Sequence, residues 1–464
     1  MLAEAGRIVI EENRRVAAVF SEFGPSLCAY APLVDTRPLC FMHIPKTGGA
    51  SAITWLESMF HAEELAPCRN AGDFEVLRGI DHGHRLFAGH FNGCQAELFP
   101  SDAQWMTILR DPLEMAVSAY HHRRLAPKDD WEADRAQGEQ LRGNDAREKA
   151  LAEQMTEIFQ QVDLLTALRQ RNESLRTFFR DSLIRRLGAL DEEHNISVSL
   201  SDNSPRLKAL REVQWKRATA LLDRIELIGD QSALEQFLLL VAATRGWPAP
   251  PPLPRIHDFG APTREDAANP ALRAQFEEYC PTDVRIYKRA RETSDLVPAR
   301  LKELCGDVTP RAVDDLHRRR FFEESKRVIA FDVTASEPWN GCGWGMRERD
   351  GLRNPFRQFA NGQSATMLAR LDPAIAEYRV FAHVWNASTQ AALDGFSVQV
   401  AGRPLERVDS AWRNGALIVE WRLPADLIVA TRGNIEFGLE KGEGTTQDLL
   451  SIARIGCVPA LSFA

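Results

Sequence analysis

The sequence predicts an α/β domain followed by an all-β sandwich domain. Three observations carry this expectation. The stretch Leu39–Phe60, LCFMHIPKTGGASAITWLESMF, reads as an apolar strand, a glycine turn and a helix with Ile53, Leu56, Met59 and Phe60 at helical spacing. A second strand-to-helix junction follows, in which the β-rich run Trp105–Leu109 is closed by Arg110-Asp111-Pro112, with the proline placed for a helix start. After Val328 helical patterns give way to short alternating runs separated by Gly, Asn, Asp and Pro. At 464 residues the chain is long enough for two domains.

Composition sets the outer limits. Hydrophobic and charged fractions of 44% and 26% are ordinary for a soluble globular chain. The net charge of −8 argues against a general nucleic-acid binder, so a polyanionic partner needs a local basic patch. No apolar run of about 18 residues occurs, and Glu11, Glu12, Arg14 and Arg15 interrupt the N-terminus. Neither a transmembrane segment nor a signal peptide is expected, and the chain reads as cytoplasmic. The eight cysteines are scattered without a Cys-x-x-Cys pair, which predicts reduced packing residues rather than a zinc site or a disulfide framework.

Residues 1–37 read as an amphipathic lead-in without assignable chemistry. The turn that follows the first strand is Lys46-Thr47-Gly48-Gly49. Adjacent glycines let a backbone approach a ligand closely, and the free N–H groups at a helix start favour an anion. Lys46 adds a mobile positive charge, and Thr47 and Ser51 add hydroxyls. A phosphate or sulfate ester is the expected ligand. A Walker-type nucleotide loop needs its lysine after the last glycine, whereas Lys46 precedes both.

Pro45-Lys46-Thr47-Gly48-Gly49-Ala50-Ser51 instead resembles the 5′-phosphosulfate loop of sulfotransferases that use 3′-phosphoadenosine 5′-phosphosulfate (PAPS), in particular the glycan O-sulfotransferases related to the heparan sulfate 2-O and 6-O enzymes. That loop commonly carries Thr or Ser where this chain has Ala50. Arg110, with Ser118 eight residues later, is similar to the 3′-phosphate motif of the same family, where a guanidinium fork and a hydroxyl hold the phosphate that separates PAPS from ATP. The family often has a second arginine where this chain has Met115. In the strand Arg85–Phe91, His90 matches the residue that the family uses as catalytic base. A histidine suits that role because its pKa lies near the working pH and a sugar hydroxyl is a poor nucleophile. His82 and His84 are weaker candidates.

The resemblance covers about residues 38–298 and implies a P-loop-like domain with a central parallel sheet. Residues 126–222 read as helices covering a cleft, with a loop near 125–150 as a lid or acceptor contact. Ile225–Asp230 reads as another strand, Ser232–Arg245 as a helix stopped by Gly246, and the proline-rich coil Pro248–Pro254 as a loop near the nucleotide. Residues 299–327 read as an exposed helical connector. Residues 328–464 read as the sandwich, whose tryptophans either stack on sugars or fill its core.

The resemblance implies sulfuryl transfer from PAPS to an acceptor hydroxyl, with a carbohydrate preferred as acceptor. Lys46 and His90 take the catalytic roles. Lys46, Thr47, Gly48, Gly49, Ala50, Ser51, Arg110 and Ser118 take the cofactor, and no metal is required. The alternatives are a P-loop-type kinase and a non-catalytic glycan-binding protein with a relic cofactor site.

Overall fold

The computed structural model describes residues 35–67, 69, 83–125, 163–170, 179–190, 204–253, 261–360, 364–413, 416–442 and 449–460. The fold is mixed α/β, with one four-stranded parallel sheet and several antiparallel sheets. The proposed lid near 125–150, all but the end of the lead-in, and His82 lie outside the described residues.

The parallel sheet comprises β1 (Leu39–Met42), β2 (Leu86–Gly89), β3 (Gln104–Leu109) and β4 (Leu227–Asp230) in the order β2-β1-β3-β4. Every residue of these strands is buried. Burial on both faces is what a parallel sheet covered by helices requires, and the two-residue period of a strand divides its side chains between two cores. Leu39, Phe41, Ala88, Met106, Ile108 and Leu227 fall on one side; Cys40, Met42, Phe87, Trp105, Leu109 and Ile228 fall on the other.

The first core is covered by α1 (Gly49–Ser58) through Ala52, Trp55 and Leu56, and by a later apolar helix through Phe237–Ala243. Further helices are α2 (Pro112–Leu125), α3 (Leu164–Gln170), α4 (Ser182–Gly188), α5 (Pro205–Arg224), α6 (Leu234–Arg245, the helix just named), α7 (Ala261–Ala268), α8 (Pro270–Tyr279), α9 (Pro281–Ser294), α10 (Val297–Cys305) and α11 (Pro310–Glu324). The second core takes Leu183, Ile184 and Leu187 of α4, Ala218, Leu221 and Leu222 of α5, and Ile286 and Ala290 of α9. From the carboxyl end of β1 the chain goes to β2 on one side, and from that of β3 it goes to β4 on the other, so the order reverses between β1 and β3. In an open α/β sheet this opens a crevice there.

One expectation is corrected. The segment 299–327 is no exposed connector: α10 and α11 bury Leu301, Val313 and Leu316 in the first core, and His317 is buried with its ring nitrogens against the backbone carbonyls of Gly246 (2.7 Å) and Asn340 (3.2 Å). The coil after Gly246 packs on the first core through Ala249 and Leu253, and the Ala249 N–H donates to Asp314 of α11 at 2.8 Å. Trp247 at its start packs edge-to-face on Trp55 and Phe60.

The C-terminal region pairs a five-stranded antiparallel sheet with a four-stranded one. Its strands are β5 (Phe331–Thr334), β6 (Ser364–Arg370), β7 (Glu377–Ala387), β8 (Ser397–Val400), β9 (Arg403–Pro404), β10 (Glu406–Arg413), β11 (Ala416–Pro424), β12 (Asn434–Glu440) and β13 (Leu450–Pro459). The orders are β10-β11-β7-β13-β5 and β9-β8-β12-β6. Val380, Ala382 and Val384 of β7 share one core with Met367 of β6 and Ile435, Phe437 and Leu439 of β12. Trp339, Trp344 and Trp421 fill that core, while Trp412 is 68% exposed.

Candidate functional site

The loop between β1 and α1 is the centre of the site. Lys46 and Gly48 both take the left-handed conformation, with φ of 68° and 82°. Two such residues in four turn the chain sharply and aim the first N–H groups of α1 back into the crevice. Gly48 is the N-cap; no side chain caps the helix, and its first turn carries no acidic residue. Those amides together with the dipole of a ten-residue helix fit an anion.

Thr47 is fully buried, and its hydroxyl donates to the Ile44 carbonyl at 2.7 Å. Its side chain braces the turn, which leaves the backbone N–H as its group for a ligand. Gly49 is required by a neighbour: a Cβ there would lie 2.1 Å from Cδ2 of His43. Ala50 is half-buried on the first turn and Ser51 is buried behind it.

Arg110 ends β3 beside this loop. Its Nη1 donates to the Lys46 carbonyl at 3.2 Å and its Nε to Glu114 at 3.3 Å. The guanidinium thereby joins the two motifs that the sequence separates by 64 positions. Asp111 has a structural part: it accepts from the N–H groups of Leu113 (3.0 Å) and Glu114 (3.1 Å), starting α2, and pairs with Arg273 at 3.2 Å. Ser118 is buried about two turns further on. Met115 is packed in the second core, so the position supplies no cation.

His90 directly follows β2, half-buried at the same sheet edge. Its Nδ1 lies 2.9 Å from the His43 carbonyl. A carbonyl only accepts, so Nδ1 carries a proton, and in the neutral ring the lone pair is then on Nε2. Its ring stacks on that of His43, with centroids 4.4 Å apart and planes 27° from parallel. His84 instead packs edge-on against Phe87, 6.3 Å away.

Lys46, Thr47, Gly48, Gly49, Arg110 and His90 are thus gathered at the carboxyl ends of β1, β2 and β3. His43 was not singled out from the sequence. It is buried, and burial, with the charges of His90, Arg186 and Lys46 added, pushes its pKa down to about 3, so the ring is neutral. Its signal was its place, a histidine directly after β1 and ahead of the glycine turn. Arg186 of α4 is a second cation on this side, held by burial and by Arg185 at about 10. No group of three or more metal-ligating side chains occurs among the described residues.

The sequence matches no protein-family model and no curated protein. Among solved structures, the mosquito-larvicidal Cry4Aa toxin from Bacillus thuringiensis is similar over 28% of this chain and 24% of its own, at 12% identity and a TM-score of 0.20. The insecticidal crystal protein Cry2Aa is similar over 28% and 21%, at 13% identity and a TM-score of 0.18. A family GH115 4-O-methyl-α-glucuronidase with specificity for decorated arabinogalactans, BtGH115A, is similar over 67% and 40%, at 12% identity and a TM-score of 0.19. The matched region spans less than half the length of each of these proteins, and likenesses at these scores carry no argument about fold or activity.

Proposed function

We propose that the protein is a PAPS-dependent O-sulfotransferase acting on an acceptor hydroxyl, with a carbohydrate as the preferred acceptor class. The observation that carries this reading is the meeting of the Lys46 loop, Arg110 and His90 at one sheet edge, with Arg110 bonded to the loop itself. The residues fit PAPS. The uncapped start of α1 and Lys46 suit the 5′-phosphosulfate, and Arg110 with Ser118 suits the 3′-phosphate.

When bound, PAPS supplies an activated sulfuryl group, whose bond to the phosphate oxygen breaks as the bond to the acceptor oxygen forms. Nε2 of His90 takes the acceptor's proton, while its Nδ1–H stays on the His43 carbonyl. That carbonyl dipole also stabilises the imidazolium as it develops. Lys46 and the α1 amides offset the negative charge that shifts to the leaving oxygen. A kinase reading lacks the Gly-Lys-Ser/Thr order.

The test is a thermal shift with the product nucleotide, 3′-phosphoadenosine 5′-phosphate, without metal. It is expected to raise Tm while AMP does so far less, because only a ligand that the folded state prefers stabilises it. Equal shifts would remove Arg110 from a 3′-phosphate role. With labelled PAPS and a panel of glycans, His90→Ala is expected to lose on the order of 10²–10⁴-fold in turnover with nucleotide binding retained. Normal turnover of that variant would overturn the assignment of the base.

A further inference from the structure

We infer that His43 is a positioning residue, its ring the spacer between the donor cradle and the base and its backbone carbonyl the lock on the base's tautomer. The inference rests on the reading of His90 as base.

The imidazole of His43 touches both the start of α1 and the ring of His90. Toward the donor, Gly49 sits on it so closely that a Cβ would come within 2.1 Å of Cδ2 and 2.5 Å of Nε2. Toward the acceptor, His90 stacks on it at 4.4 Å. Phe41, two residues earlier on β1 and fully buried, stacks against it at 5.7 Å and 24° and ties the pair to the first core. The backbone adds two links: the His43 N–H donates to Gly89 at 2.9 Å, and its carbonyl takes the Nδ1–H of His90 at 2.9 Å.

One flat ring in contact with both thus couples the position of the base to that of the first residue of the anion-binding helix. In-line transfer depends on their relative position, and a displacement of about 1 Å can cost 10²-fold. The charged or titratable groups that act on the ring are His90, Lys46 and Arg186. A neutral His43 adds no second positive charge beside the imidazolium that forms on His90.

The test compares His43→Phe, His43→Ala and His43→Leu by two readouts. The first is ¹⁵N-histidine NMR of the free protein, with His90 assigned through His90→Asn. Wild type and His43→Phe are expected to show one Nδ1–H tautomer at His90, and His43→Ala, which keeps the carbonyl but loses the ring that holds His90 against it, a mixture. The second is transfer from labelled PAPS to the panel glycan that wild type sulfates best. His43→Ala is expected to lose about 30- to 100-fold in kcat, with KM for PAPS within about threefold, and His43→Phe, keeping a flat ring, to recover most of the loss.

His43→Leu, of similar volume without a plane, is expected to follow alanine, and it decides the matter if alanine does not fold. Turnover of His43→Ala or His43→Leu within twofold of wild type, or a His43→Phe as damaged as alanine, overturns the spacer. Full turnover in His90→Ala sinks the base instead and leaves the tautomer measurement to judge the contact.

Discussion

At the scale of single residues, polar groups of the candidate site are used to build the loop itself. The Thr47 hydroxyl bonds to Ile44, and the Arg110 guanidinium is shared between Lys46 and Glu114. The sequence makes Lys46, Arg110 and His90 legible because charge, spacing and strand ends are local. It hides His43, since the contact that matters runs from position 43 to position 90 across two strands. The neutral state of His43 has a consequence for acid stability. Its folded pKa is about 3, against 6.5 for an unperturbed histidine, so acidification loads protons onto the unfolded chain alone. The stabilisation is whole above about pH 6.5 and is lost progressively as pH falls toward 3. Between pH 7.5 and 5, His43→Phe is expected to gain on wild type by up to about 2 kcal/mol, read as the difference in urea midpoints at the two pH values. An unchanged difference refutes the neutral assignment.

At the scale of elements, the strands of the parallel sheet are legible because each is apolar on both faces and ends at a glycine, histidine, arginine or aspartate. The helix β4 leads to is legible from its stop, since Gly246 takes φ 74° as a left-handed C-cap. The strand β6, SATMLAR, is hidden: its only large apolar residues, Met367 and Leu368, are adjacent and show no alternation, and its pairing with β12 lies more than sixty positions away. Helix α4 falls in a stretch read as helical, but its start is not marked locally, because it is held from outside. Asp283 on α9 accepts the N–H groups of Leu183 (3.0 Å) and Ile184 (2.8 Å), and burial, with Asp181 nearby, pushes its pKa up to about 7. Asp283→Ala leaves two buried donors unanswered and is expected to cost about 3 kcal/mol. Asp283→Asn, which keeps one acceptor oxygen, is expected to cost about half as much. Urea denaturation measures both, and an alanine variant as stable as asparagine would show that the contact does not hold α4.

At the scale of the whole molecule, the two regions share more than a linker. Arg347 donates to the carbonyls of Glu57 and Phe60, and Arg357, 3% exposed, donates to that of Ser58 at 2.6 Å. Guanidinium groups from beyond residue 328 thus satisfy the end of α1, where a helix leaves carbonyls and partial negative charge unanswered. The composition shift near residue 328 is legible in sequence, but a contact nearly 300 positions long is not. Arg357→Ala is expected to lower stability by roughly 2–4 kcal/mol and to do so in a single calorimetric transition, because the halves unfold together. Two separate transitions in wild type would refute this coupling. The same contact bears on inheritance: the helix that opens onto the candidate anion site is closed by residues from the other half of the chain. A recombination event at the visible boundary would deliver a glycine turn intact in every residue yet mounted on a helix with an unfinished end. Descendants that exchanged the β-region for another would need to bring their own arginines, so the two halves are expected to travel through evolution as one heritable unit.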